Sequence, residues 1–106
     1  MSVMLTLHIK GDPALMEKHA AADPDSIRAI SDAAKTEGLI AHRFYGSDDG
    51  QIMVVDEWPD AESFHRFFTA NQDRIGPLMA EVGVTEEPVL TFWRELETHD
   101  QVGWNA

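Results

Sequence analysis

A chain of 106 residues that is 43% hydrophobic has the length of one domain and the composition of a packed one, which excludes an intrinsically disordered chain. Its 19 acidic residues against 8 basic ones give a net charge of -11, and the basic residues are scattered singly. Phosphate backbones and anionic membranes would be repelled, so neither nucleic acid nor a membrane surface is an expected partner. Without cysteine there is no disulfide framework, thiolate nucleophile or thiolate metal site.

The opening MSVMLTLHIKGD lacks a basic segment followed by a long apolar run, and no stretch approaches the ~20 apolar residues of a membrane span. A cytoplasmic protein is the expectation. Val3 to Lys10 (VMLTLHIK) is β-rich and ends at Gly11-Asp12-Pro13, a turn leading into a helix with Asp12 as N-cap and Pro13 at its first position. Apolar residues then recur at helical spacing from Ala14 to Glu37. Asp23-Pro24-Asp25 should split this stretch, because proline lacks the backbone donor and its predecessor avoids the α region. Gly38 ends the second piece.

Leu39 to Gly46 and Gln51 to Trp58 flank Ser47-Asp48-Asp49-Gly50, which fits a type I turn followed by a left-handed glycine. The two runs therefore form an antiparallel hairpin. Pro59-Asp60 opens the next helix with Asp60 as cap, and Phe64, Phe67 and Phe68 fall on one of its faces. Gly76-Pro77 should interrupt the helical signal, which resumes and stops at Gly83. Pro88 to Leu96 reads as the last strand, and Glu97 to Ala106 as a polar tail. The domain is thus 1–96 and the tail 97–106.

The element order βαββαβ predicts an α+β, ferredoxin-like fold with a four-stranded antiparallel sheet and helices on one face. Yet VMLTL, QIMVV and PVLTFW are apolar at nearly every position, so both sheet faces need cover. Helices supply one face only. A small domain also exposes much of its apolar surface, so a homodimer packed sheet to sheet is the economical solution.

The order of elements and the segment Asp56-Glu57-Trp58-Pro59-Asp60-Ala61-Glu62-Ser63-Phe64 resemble the dimeric α+β barrel superfamily, and within it the antibiotic biosynthesis monooxygenases. The likeness runs over roughly the first 96 residues. It implies a homodimer and, for the oxygenases of that group, chemistry on aromatic polyketides without a cofactor. The heme-degrading branch of the superfamily implies an Asn on the first strand and a Trp and a His on the second helix. This chain departs from that pattern: it has no Asn among residues 1–10, Phe67 and Phe68 stand where the Trp is sought, and Gly76-Pro77 where a late His would fall.

The hairpin turn fixes a register in which Ser47 pairs with Gln51, Phe44 with Val54, His42 with Asp56 and Ile40 with Trp58. His42 and Asp56 would then touch on one face, and a one-residue slip would separate them. With the first and third strands taken as parallel neighbours, His8 joins them in a polar row if its parity along the strand matches. Such a row can be a general base oriented by a carboxylate, a weak site for a divalent cation, or a hydrogen-bonded patch that fixes register or sits at the dimer seam. No compact metal motif is present, and no metal or cofactor is expected.

Trp58, His65, Phe68 and Trp93 are the candidate walls of a substrate pocket, each with an alternative as core, surface or dimer packing. No nucleophile elbow, phosphate-cradling glycine loop, dinucleotide fingerprint or HExxH motif occurs. The expected function is therefore cofactor-independent monooxygenation of an aromatic or polyketide-like molecule, with His42 or His8, held by Asp56, removing a phenolic proton. The alternatives are a non-catalytic dimeric module that binds a small ligand or is purely structural, and an oxygen-independent cyclase or isomerase on the same scaffold.

Overall fold

A computed structural model describes residues 1–104. The elements are β1 (Val3–Lys10), α1 (Pro13–Ala22), α2 (Pro24–Thr36), β2 (Ala41–Gly46), β3 (Gln51–Trp58), α3 (Ala61–Ala70), α4 (Gln72–Glu81) and β4 (Val89–Trp93). Each expected strand and helix start is present. Asp12 caps α1 by accepting from the Ala14 amide at 2.9 Å, and α2 restarts with Pro24 in its first turn. Asp60 caps α3, accepting from the Ser63 amide and hydroxyl at 2.8 Å each. These bonds, with Arg66 nearby, hold the Asp60 carboxyl below the ordinary value of 3.8. Gly38 and Gly50 adopt positive φ (106° and 84°), as the helix end and the hairpin loop require.

The expected interruption at Gly76-Pro77 is displaced. The break falls at Asn71, whose amide and side-chain Nδ2 both bond the Phe67 carbonyl, and α4 runs on through Pro77. Pro77 is exposed, so the carbonyl left without its helical donor faces water and the helix continues. The last strand is also shorter than Pro88 to Leu96. It stops at Trp93, opposite Met4, because β1 has almost no chain beyond that point to pair with.

The sheet order is β2-β3-β1-β4, with every neighbouring pair antiparallel. The first and third strands are therefore not parallel. The α1–α2 crossover returns the chain to the start of the sheet, so β2 runs with β1 and the hairpin then reverses β3. Leu5 pairs with Asp56, Leu7 with Val54 and Ile9 with Ile52, and strand alternation puts all six on the helix side. There they join two apolar clusters, one around Ile9, Ile52, Val54, Leu78 and Val82, the other around Leu5, Ala34, Trp58, Phe64 and Phe67. Each such large side chain removed from water contributes about 1.5–3 kcal/mol.

The opposite face carries Met4, Thr6 and His8 of β1, Met53 and Val55 of β3, and Val89 and Trp93 of β4. No helix among the described residues covers it, and Val89 and Trp93 are 62% and 52% exposed. The C-terminal segment follows as irregular chain in which Val102 and Trp104 are exposed, while the tail's last two positions, 105 and 106, lie outside the described residues. No helix among the described residues is long and apolar enough to cross a membrane.

Candidate functional site

The hairpin register pairs His42 with Asp56 and Phe44 with Val54, and places all four side chains on the helix side of the sheet. Ser47 donates its amide to the Gln51 carbonyl at 2.9 Å, which closes the turn in the register its loop length demands. His42 Nδ1 lies 2.7 Å from Asp56 Oδ1. An ionised carboxylate only accepts, so Nδ1 is the donor of this bond, and in the neutral ring Nε2 is the nitrogen left with a lone pair. The imidazole edge also meets the Phe44 ring at 4.8 Å and 87°, which limits how it can turn.

The other oxygen of Asp56 is held by a third residue. Trp58, wholly buried, donates its indole Nε1–H to Asp56 Oδ2 at 3.1 Å. Residues 56 and 58 point to the same face of β3, so one strand supplies both the carboxylate and the group that holds it from behind. Asp56 is only 6% exposed, and each of its oxygens has a hydrogen-bonding partner. A buried carboxylate without such partners would cost several kcal/mol. His42 is the exposed end of the arrangement, with a quarter of its side chain reachable by solvent, and no group among the described residues bonds its Nε2.

His42 and Asp56 form part of the wall of a cavity of ≈ 80 Å³ between the sheet and the helices. The rest of the wall is apolar apart from Ser31: Ile27, Ile30 and Ala34 come from α2, Phe64, Phe67 and Phe68 from α3, and Ile75, Leu78 and Met79 from α4. No Lys or Arg lines it. An imidazole with one nitrogen fixed and the other free, in an apolar recess, can take a proton from a weakly acidic ligand hydroxyl.

The remaining candidates fall elsewhere. His8 pairs with Met53 and Val89 on the uncovered face, so the expected row of His8, Asp56 and His42 does not form. Alternation decides this: with Leu5, Leu7 and Ile9 inward, His8 points out. Trp93 lies on that same outer face, where its Nε1–H donates to Thr6 Oγ1 at 2.8 Å. His65 is exposed on α3 and packs edgewise on Phe64 and Phe92 outside the cavity. Trp58 stands behind Asp56 as core rather than as cavity wall. Phe68 does line the cavity, stacked on Phe64 at 5.4 Å. Sequence reasoning did not assign the α2 and α4 residues to the site, although Ile27, Ile30 and Ala34 stand at the i, i+3, i+7 spacing of a single helix face. Among the described residues no three His, Asp or Glu side chains cluster as a metal site would need.

A four-stranded antiparallel sheet with helices on one side is a fold this chain shares with solved structures classed as antibiotic biosynthesis monooxygenases. Solved structures superpose on nearly the whole chain. SnoaB, a cofactor-independent oxygenase from Streptomyces nogalater, matches with a TM-score of 0.61 at 14% identity, covering 94% of this chain and 98% of its own. A Bordetella bronchiseptica protein classed with the antibiotic biosynthesis monooxygenases gives 0.63 at 14%, covering 90% and 97%. A conserved Methanosarcina mazei protein gives 0.64 at 15%, covering 91% and 94%. At these identities the likeness is one of fold. No family model matches this sequence, and no curated protein matches it either.

Proposed function

We propose that the protein is a cofactor-independent monooxygenase of a small aromatic molecule, with His42 as its general base and Asp56 as the group that orients it. The observation that carries this reading is the His42 ring itself, tied through Nδ1 to a buried carboxylate at 2.7 Å and unbonded at Nε2, in the wall of an apolar cavity. His42 takes the proton of a hydroxyarene and stores it as imidazolium opposite the Asp56 carboxylate. The electron-rich anion reduces dioxygen, the carbon–oxygen bond forms, and loss of water from the hydroperoxide leaves a carbonyl. Substrate and dioxygen together balance quinone and water, so no external reductant enters. The cofactor-independent oxygenase SnoaB on the same fold supports the reading.

The active form in this proposal is a homodimer that buries the uncovered sheet face. Met4, Val89 and Trp93, all more than a third exposed there, are the apolar groups that a second sheet would cover.

The test is oxygen uptake with a panel of hydroxyarenes by the wild-type chain and by His42→Ala. The variant should fold, since His42 sits at the rim of the core, and should lose turnover. Activity retained in His42→Ala would remove the base from this assignment, and product formed equally without oxygen would turn the reading into a cyclase or isomerase. The non-catalytic binding module stays in play on one observation, the cavity of ≈ 80 Å³. Binding without uptake across the panel would select it.

A further inference from the structure

The size and charge of the cavity restrict what can reach His42 more closely than the fold does. Established small-molecule pockets run to about 300–1,000 Å³. An apolar cavity of about 150 Å³ already takes benzene. The recess beside His42 measures ≈ 80 Å³. At ≈ 80 Å³ it holds less than a whole ring, so a single ring enters from the side where His42 meets solvent and leaves part of itself outside, and a second ring fused at the inner edge would displace the wall.

Several wall residues are only partly buried, among them Leu7, Ile27, Ile30, Phe44 and Ile75; of those on the helices, Phe68 on α3 and Met79 on α4 have the longest side chains, whereas Phe64, Phe67 and Leu78 are core. Phe68 and Met79 are therefore side chains whose bulk can be removed without truncating a fully buried core residue, and ones against which a larger ligand would press. Charge is equally restrictive. Among the described residues the only polar side chains in the wall are Ser31, His42 and Asp56, no Lys or Arg lines it, and the whole chain carries a net charge of -11. A ligand carboxylate would be stripped of water next to a carboxylate, with no Lys or Arg to pair with.

We infer that the cavity selects an uncharged hydroxyarene of a single ring, with Phe68 and Met79 setting the size limit and Asp56 rejecting anions. The inference rests on the monooxygenase reading for the role of the ring hydroxyl, but its test is one of binding alone. The folded wild-type chain is titrated with phenol, naphthol and para-hydroxybenzoate, and dissociation constants are taken from NMR shifts of the His42 ring. Phenol should bind, with naphthol and para-hydroxybenzoate each about tenfold or more weaker. Phe68→Ala should bring naphthol to within about threefold of phenol, and Met79→Ala is the second route to the same result should loss of the Phe64 stacking unfold the first variant.

Naphthol binding as tightly as phenol to the wild-type chain would overturn the size limit, and para-hydroxybenzoate doing so would overturn the charge filter. Discrimination unchanged in both variants would remove Phe68 and Met79 as its source, and no shift with phenol at millimolar concentration would overturn the inference as a whole. Its failure is separable from that of the proposed function: uptake of oxygen with a larger substrate would leave the monooxygenase standing, whereas phenol bound without uptake would remove the monooxygenase and leave the selectivity.

Discussion

Trp58→Phe tests the arrangement behind His42 most directly. The substitution keeps an aromatic ring in the core but deletes the Nε1–H that Asp56 Oδ2 accepts at 3.1 Å, leaving that oxygen without a donor in a residue 6% exposed. A hydrogen bond to an ionised group contributes about 1.5–3 kcal/mol, and the space left by the smaller ring in a fully buried site costs about 1–2 more, so the variant should lose roughly 3–5 kcal/mol. With a urea dependence of ~1.5 kcal/mol per molar for a domain of this size, the unfolding midpoint should fall by about 2–3 M. The two contributions separate in a double-mutant cycle with Asp56→Ala. If the indole acts through the carboxylate, the coupling energy should be about 1.5–3 kcal/mol; a value below about 0.5 would mean that the 3.1 Å contact carries no energy and that Trp58 is core and nothing else.

Three further outcomes follow from other parts of the chain. A Cβ added at Gly46 would lie 2.7 Å from Pro13 Cβ, so Gly46→Ala should cost about 1–3 kcal/mol in thermal unfolding, whereas Gly76→Ala, with nothing within 4 Å on exposed α4, should stabilise by about 0.5–1. Asp60 is held below 3.8 in the folded chain, so its contribution to stability is complete above that value and disappears as pH falls through the folded pKa; the stability difference between wild type and Asp60→Asn should be level near neutrality and change only in acid. A difference that stays level throughout acid unfolding would contradict the assignment. Val55→Asp, on the uncovered face, should reduce the proposed dimer to a monomer by sedimentation with an unaltered His42 ring spectrum, and a mass equal to that of the wild-type chain would refute association through that face.

The site was readable in the sequence where it rests on local chemistry and was lost where it rests on long-range direction. Ser47-Asp48-Asp49-Gly50 specifies its loop, and counting outward from the loop pairs His42 with Asp56 with no knowledge of the remainder of the fold. The placement of His8 needed the direction of β1 against β3, which the crossover sets and no neighbouring residue announces. The parity was nevertheless present in VMLTLHIK, where Leu5, Leu7 and Ile9 alternate with Thr6, His8 and Lys10. Gly76-Pro77 misled for a different reason: a helix breaker acts through the bond it removes, and that bond lies on the solvent side. The cavity itself was the hardest to foresee, because it depends on how far α2 and α4 stand from the sheet, and side-chain spacing along a helix carries no such distance.

The hairpin loop lies at the far end of β2 and β3 from the dyad and touches nothing in the cavity, yet it acts as the gauge of the whole assembly. One residue more or less between Ser47 and Gly50 would turn His42 outward while Asp56 stayed in, separating donor from acceptor without altering either. The same shift would move Phe44 out of the apolar layer, so a chain that lost the dyad by this route would lose packing with it. Drift in that loop's length is thereby checked by folding itself, whatever the pair does chemically.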